Sequence, residues 1–438
     1  MTAPTVDPVA LRAEAVEVLR HLLRLNTVNP PGDERACQEY LAARLREAGL
    51  EVTLAGEDPE RPNLVARLRG LRDGPSLGLL SHVDTVDADP AGWRHDPWSG
   101  ELDGTLLHGR GAIDMKSQTA AEVVAACSLA RSGWRPARGD LIVISVSDEE
   151  VGGTGAIWLC EQRPDLVRCD WLLNEGDGVA TPYGDERLYG VCTGEKGVFR
   201  FALIAEGVAG HASVPMTADN AMLKLVPALQ AMDVRRPGWD VGAAGRTLLE
   251  RLGLDPADPA SAVAALAERA PGLAPQVEAM LRVTLAPTVI AAGRELNVIP
   301  ARARLDVDCR VPPFMEEAAV LERVREVLGE DGPRLEWTEQ VTGNASPPAS
   351  ALMDALEQWV GQVDPGARCV PTISPGYSDS RTFRAAFPDC VAYGFFPIQH
   401  MSPDTVQGLY HSHDERVDVR DLELATRCYR DVAVTLLG

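Results

Sequence analysis

The chain has 438 residues, and 42 Lys+Arg against 64 Asp+Glu leave a formal charge of −22. At about 150 residues per domain that length predicts two or three domains with a sizeable core. A composition of 45% hydrophobic and 24% charged residues excludes a wholly disordered or fibrous chain. So acidic a surface repels nucleic acid and anionic membrane, and neither is expected as a partner.

No basic segment near the N-terminus leads into an apolar run with a small-residue cleavage site, and no stretch approaches the ~20 apolar residues of a membrane span. A cytoplasmic location is expected. The nine cysteines are scattered from Cys37 to Cys428 without a C-x-x-C pair, which predicts reduced, mostly buried thiols and no cysteine metal site.

Asp7-Pro8 reads as an N-cap and first-turn proline, followed by apolar residues at helical spacing from Leu11 to Leu23. A second helix is predicted over Glu34–Ala48, with Gly49 as its stop, then strands at Glu51–Ala55, Asn63–Leu68 and Leu77–Ser81. Helical pattern returns at Ser117–Arg131 and strand pattern at Asp140–Ser147. Alternation of this kind predicts an α/β/α layered domain with a largely parallel sheet.

Near Gly194 the character changes. Strands at Val198–Ala205, Arg282–Val289, Arg302–Cys309 and Arg334–Gln340, with helices at Ala218–Met232 and Glu316–Leu328, give the β-α-β-β-α-β order of a ferredoxin-like domain. Residues 235–280 read as an Ala/Pro/Gly-rich insertion in it. After Gly343 the α/β pattern resumes with a helix at Ala349–Val363. The expected division is a first catalytic part at 1–194, the inserted domain at 195–343 and a second catalytic part at 344–438.

Ligand sites of open α/β sheets form at the carboxyl ends of strands, so polar residues ending apolar runs are the ones to collect. Those are His82-Val-Asp84, Asp114 after Leu107–Gly111, Asp148-Glu149-Glu150 after Leu141–Ser147, and Glu175 after Trp171–Asn174. His411, near the C-terminus, is a further candidate. Each alone has a bland reading: a His-x-Asp is usually a solvated turn and adjacent acids a charged loop. Converging on one crevice, however, such carboxylates repel one another and call for a cation. Imidazoles plus carboxylates make a mixed N/O set suited to zinc, with cobalt or manganese as alternatives.

The segments Ser81-His-Val-Asp-Thr-Val86, Gly109-Arg-Gly-Ala-Ile-Asp-Met-Lys116, Ser147-Asp-Glu-Glu150, Asn174-Glu-Gly176, Gly210-His-Ala-Ser213, Asn297-Val-Ile-Pro300 and His411-Ser-His-Asp-Glu415 run in order through nearly the whole chain. Together they resemble the zinc exopeptidase and amidohydrolase family of carboxypeptidase G, aminoacylase, acetylornithine deacetylase and succinyl-diaminopimelate desuccinylase. The resemblance implies an α/β catalytic domain interrupted by a ferredoxin-like lid that serves dimerisation. It also implies two zinc ions bridged by Asp114, one completed by Glu150 and His411 and the other by His82 and Glu175. Asp84 would orient His82, and Glu149, left unliganded, would act as general base. His211 would stabilise the oxyanion, often from a partner subunit of a homodimer. Asn297, Arg310 and Arg381 match substrate-contacting positions, with structural salt bridging as the competing reading.

The implied activity is hydrolysis of an amide bond next to a free carboxylate, in an N-acyl amino acid or at a peptide C-terminus. A dipeptidase or aminopeptidase on the same scaffold is the alternative within enzymes, and a non-catalytic peptide-binding descendant the alternative outside them. Tyr377 replaces a small residue found in several relatives, His413 competes with His411, and the insertion at 235–280 resembles that of the acyl-amino-acid-hydrolysing branch, where it could set side-chain preference.

Overall fold

The computed structural model describes residues 6–330 and 332–438. These form two compact units: one comprises the chain up to Thr193 with Ser346–Thr372 and Ser378–Gly438, the other Gly194–Ala345 with Ile373–Tyr377.

The first unit opens on the helix Pro8–Leu23, whose Asp7 carboxylate accepts the Val9 N–H at 3.0 Å. Its strands are β1 (Glu51–Ala55), β2 (Asn63–Leu68), β3 (Leu77–His82), a short hairpin of β4 (Glu101–Asp103) and β5 (Leu106–His108), then β6 (Leu141–Val146) and β7 (Trp171–Asn174). In the main sheet the order is β1, β2, β6, β3, β7 and then the strand Val391–Gly394. Among the described strands, β6, β3, β7 and Val391–Gly394 run parallel, whereas β1 and β2 are antiparallel to their neighbours and Glu186–Glu195 pairs antiparallel with Val391–Gly394. The sheet is therefore mixed rather than largely parallel. The difference has a local cause, since the short loops between β1 and β2 leave no room for a crossover helix.

The central strands are buried on both faces because helices cover both. Leu141 and Val143 join a core formed with the helices Pro8–Leu23, Lys116–Arg131 and Val419–Leu437. Their alternating neighbours Ile142 and Ile144 pack instead with Ala156, Leu159 and Phe383 on the opposite face. This period of two defines three layers, α/β/α. The hairpin of β4 and β5 turns through Gly104, at φ 60°, and gains a third strand from Arg416–Asp418. All nine cysteines are free and buried.

The second unit is an antiparallel sheet in the order Thr284–Ala292, Arg302–Val311, Gly197–Glu206, Arg334–Val341. With the helices Ala221–Val234 and Glu317–Leu328 it forms the ferredoxin-like βαββαβ motif. The first of these helices starts at Ala221 rather than Ala218, because the Asn220 side chain caps it by accepting the Met222 N–H. The 235–280 segment folds into the helices Gly242–Arg251, Pro259–Arg269 and Ala274–Met280. Its end is tied down by Lys196, a fully buried lysine whose Nζ donates to the carbonyls of Ala279 at 2.6 Å and Arg282 at 2.8 Å.

Candidate metal centre

Three neighbouring parallel strands, β6, β3 and β7, end side by side and deliver their terminal residues to one place. From β3 comes His82, whose Nδ1–H donates to the Asp84 carbonyl at 3.1 Å, with an Asp84 carboxylate oxygen 3.4 Å away. That bond places a proton on Nδ1 and turns Nε2 toward the crevice. Around it stand Asp114 Oδ1 at 3.3 Å, Glu149 Oε2 at 3.8 Å and Glu175 Oε1 at 3.8 Å.

Asp114 turns its two carboxylate oxygens in opposite directions. While Oδ1 faces His82, Oδ2 lies 3.2 Å from His411 Nε2, which is also 3.4 Å from Glu150 Oε2. His411 itself sits at φ 54°, a left-handed conformation that His tolerates better than most residues. His413 lies elsewhere, with its ring against Trp93 and Gly92.

Asp84, fully buried, organises the loop after β6. Its carboxylate accepts the backbone N–H groups of Glu149 at 3.2 Å and Glu150 at 3.1 Å, and the Asn29 amide at 2.9 Å. The same Asn29 amide donates to Asp148 at 2.8 Å. Asp148, at φ 68°, binds Thr154 Oγ1 at 2.6 Å and so fixes the turn. Adjacent Glu149 and Glu150 thereby face different sides of the crevice.

The electrostatics are those of a site short of positive charge. Burial first, then the Glu175 charge, pushes the Glu149 carboxyl well above the usual range; burial first, then Asp114, does the same to Glu175. His82 Nε2 and Glu150 Oε1 are buried yet make no hydrogen bond among the described residues. Two overlapping groups of donors, His82 with Asp114 and Glu150, and His82 with Glu149 and Glu175, are close enough to hold a metal ion. The donor set, imidazole nitrogen and carboxylate oxygen, fits divalent cations of the zinc type.

The family model for peptidase family M20/M25/M40 matches residues 78–435, most of the chain and every residue of this crevice except Asn29. The chain belongs to that family. Among relatives of the M20/M25/M40 chain, the succinyl-diaminopimelate desuccinylase of Cereibacter sphaeroides (strain ATCC 17025) is 28% identical, over 98% of this chain and 98% of its own length. That of Alkalilimnicola ehrlichii is 29% identical, over 97% of this chain and its full length. An M20 family metallo-carboxypeptidase from Sulfolobus solfataricus has the same fold, with a TM-score of 0.69 at 16% identity over 96% of this chain and 98% of that one. The Bacillus subtilis YXEP protein, a dinuclear metal-binding M20 peptidase, superposes with a TM-score of 0.60 at 17% identity, over 98% of this chain and 99% of that one. As a member of a peptidase family, the chain is a hydrolase of amide bonds. No helix among the described residues is long and apolar enough to cross a membrane.

The remaining sequence candidates lie outside this cluster. Arg381 is half-buried at the start of the helix Ser380–Ala386. In the second unit, His211 and Asn297 are neighbours: Gly210–His211 pairs with Val298–Ile299, and the Ala212 N–H donates to the Asn297 carbonyl at 2.9 Å. The Ser213 N–H donates to His211 Nδ1 at 3.2 Å, which puts the proton of the neutral ring on Nε2. Arg310 is engaged by Asp308 at 2.7 Å and by the Pro375 carbonyl at 3.0 Å. Two participants went unrecognised in the sequence. Asn29 joins Asp84 to Asp148, and Glu415 accepts N–H bonds from Gly111, Ile113 and Asp114 as well as a charge-assisted bond from Arg110 at 2.7 Å. Glu415, four residues past His411, carried a positional signal; Asn29 carried none.

Proposed function

We propose that this chain hydrolyses the amide bond of an N-acyl amino acid, or of a peptide beside its free C-terminal carboxylate, at a centre of two zinc ions. Asp114 would be shared between the ions, with Glu150 and His411 completing one and His82 and Glu175 the other. The observation that carries this reading is the opposed pair of contacts from the Asp114 carboxylate, to His82 at 3.3 Å and to His411 at 3.2 Å. Full-length similarity to desuccinylases supports an acylated amino acid as substrate.

Bound there, such ions supply Lewis-acid polarisation of a carbonyl and a more acidic water. The chain's own groups do the rest. Glu149, whose Oε2 lies 3.8 Å from His82 Nε2, takes the proton of the attacking water and returns it to the leaving amine. Asp84 keeps the His82 ring in the tautomer that presents Nε2 and, through two backbone bonds, keeps Glu149 apart from Glu150. The Nε2–H of His211 is the donor for the developing oxyanion. Arg381 offers a planar, bidentate partner for the substrate carboxylate, and Asn297 and Arg310 contact the substrate.

A homodimer is part of the proposal. It is supported by the outer strand Thr284–Ala292, which exposes Val289 and Ile290, each 56% accessible, at the end of its sheet. Light scattering is expected to give twice the chain mass; a single-chain mass at working concentration contradicts it.

The deciding experiment for the activity is a panel of N-succinyl, N-acetyl and N-aroyl amino acids with unblocked dipeptides, assayed after chelation and after zinc restoration. Zinc-restorable cleavage of carboxylate-bearing members is expected. Cleavage only of substrates with a free amino terminus would replace this reading with an aminopeptidase.

A further inference from the structure

The β4–β5 hairpin and the segment before it carry a second gathering of metal-binding side chains that shares no residue with the crevice. His95, Asp103 and His108 each offer a ligand atom, and these atoms all lie within 4.8 Å of one another. The two imidazoles are stacked, with ring centroids 4.0 Å apart and planes 27° apart. His108 is only 6% exposed, and neither of its ring nitrogens has a hydrogen-bond partner among the described residues. A buried imidazole with both nitrogens unsatisfied is unfavourable unless another partner takes them up. His95 Nδ1 stands 3.2 Å from Glu101 Oε2, the carboxylate–histidine arrangement that orients a ring and leaves Nε2 for a ligand.

We infer that His95, Asp103 and His108 form a second, separate binding site for a divalent transition-metal ion of the zinc type. Two nitrogens and one carboxylate oxygen make the three-ligand set that zinc accepts, with solvent as a fourth ligand. Around a zinc ion with bonds of 2.0–2.1 Å, tetrahedral ligands stand about 3.3 Å apart, and closing the site requires the two stacked rings to rotate out of their near-parallel arrangement so that both lone pairs aim at one point. The charges facing it are Asp103 and Glu101 on the hairpin and Arg416 on the strand paired with β5. Two carboxylates outweigh one guanidinium, which is already drawn to the Asp414 carbonyl at 2.7 Å. The ion would tie the segment before β4 to the hairpin, and the hairpin to the strand that follows His411.

This site shares no residue with the crevice, so the test compares zinc content between variants. Full-length protein is stripped, reloaded with zinc, dialysed and analysed for metal. Wild type is expected to hold one equivalent more than His95→Gln or His108→Gln, with amide turnover unchanged in both variants. In an Asp114→Ala background, zinc is expected to raise the melting temperature, and adding His95→Gln to abolish the rise. His95 and Asp103 are accessible enough to replace without loss of fold, so His95→Gln and Asp103→Asn carry the test if His108→Gln does not fold. Equal zinc in wild type and His95→Gln, or an unchanged zinc-induced melting shift, overturns the assignment.

Discussion

The Glu415 carboxylate accepts the backbone N–H of Asp114 at 3.0 Å. With the Ile113 N–H on the same oxygen and Gly111 and Arg110 on the other, one buried side chain holds the whole loop that presents Asp114. Glu415 lies four residues beyond His411, so the segments that carry Asp114 and His411 are fastened to each other.

Replacing Glu415 with alanine removes the charge partner of the Arg110 guanidinium, which is 3% exposed and keeps only the Asp87 carbonyl and the Trp93 ring, and leaves three N–H groups unpaired. Breaking one partner of a buried pair typically costs about 3–5 kcal/mol. The expected outcome is a denaturation midpoint lowered accordingly and a loss of bound metal in whatever remains folded. A wild-type midpoint with full metal content would show that the loop is held by other means.

Glu149→Gln keeps the shape of the side chain and removes its ability to accept a proton. Turnover is expected to fall by about 10²–10⁴-fold while metal content stays at the wild-type level. Metal analysis beside a rate assay separates the two effects. Loss of metal in this variant would move Glu149 from base to ligand.

The strand ends were legible in the sequence because each is a short apolar run that stops at a charged residue, and parallel strands in one sheet must bring such ends together. His82, Glu149, Glu150 and Glu175 follow from that rule; Asp114 does not, because β5 ends at His108 in the separate antiparallel three-stranded sheet, and only the family resemblance singles it out. Asn29 and Glu415 were not legible as parts of the site, since their roles are contacts across 119 and 301 residues of sequence for Asn29–Asp148 and Glu415–Asp114, respectively. No local pattern encodes such a contact. The pair His95 and His108 escaped for the same reason: one lies in the segment before β4 and the other on β5, and only the fold stacks them. The antiparallel start of the main sheet was missed because apolar run length does not record strand direction.

Lys196 gives the second unit a pH signature. Burial lowers its ammonium from the usual 10.5 to about 7, despite the two carbonyls it donates to. Between those values the unfolded chain binds more protons than the folded one, so stability rises with pH from about 7 to 10. Below pH 7 both states are protonated and the penalty is constant. Urea midpoints across this window should climb more steeply for wild type than for Lys196→Met, which has no proton to lose. Parallel curves for the two proteins would mean that the lysine is solvated in the native state.

The most direct measurement is the metal content and amide turnover of Asp114→Ala beside wild type, both reloaded with zinc under the same conditions. If one carboxylate serves two ions, the variant binds two equivalents less than wild type and its turnover is abolished. Full retention of zinc, or loss of a single equivalent with turnover preserved, would contradict a shared dinuclear centre.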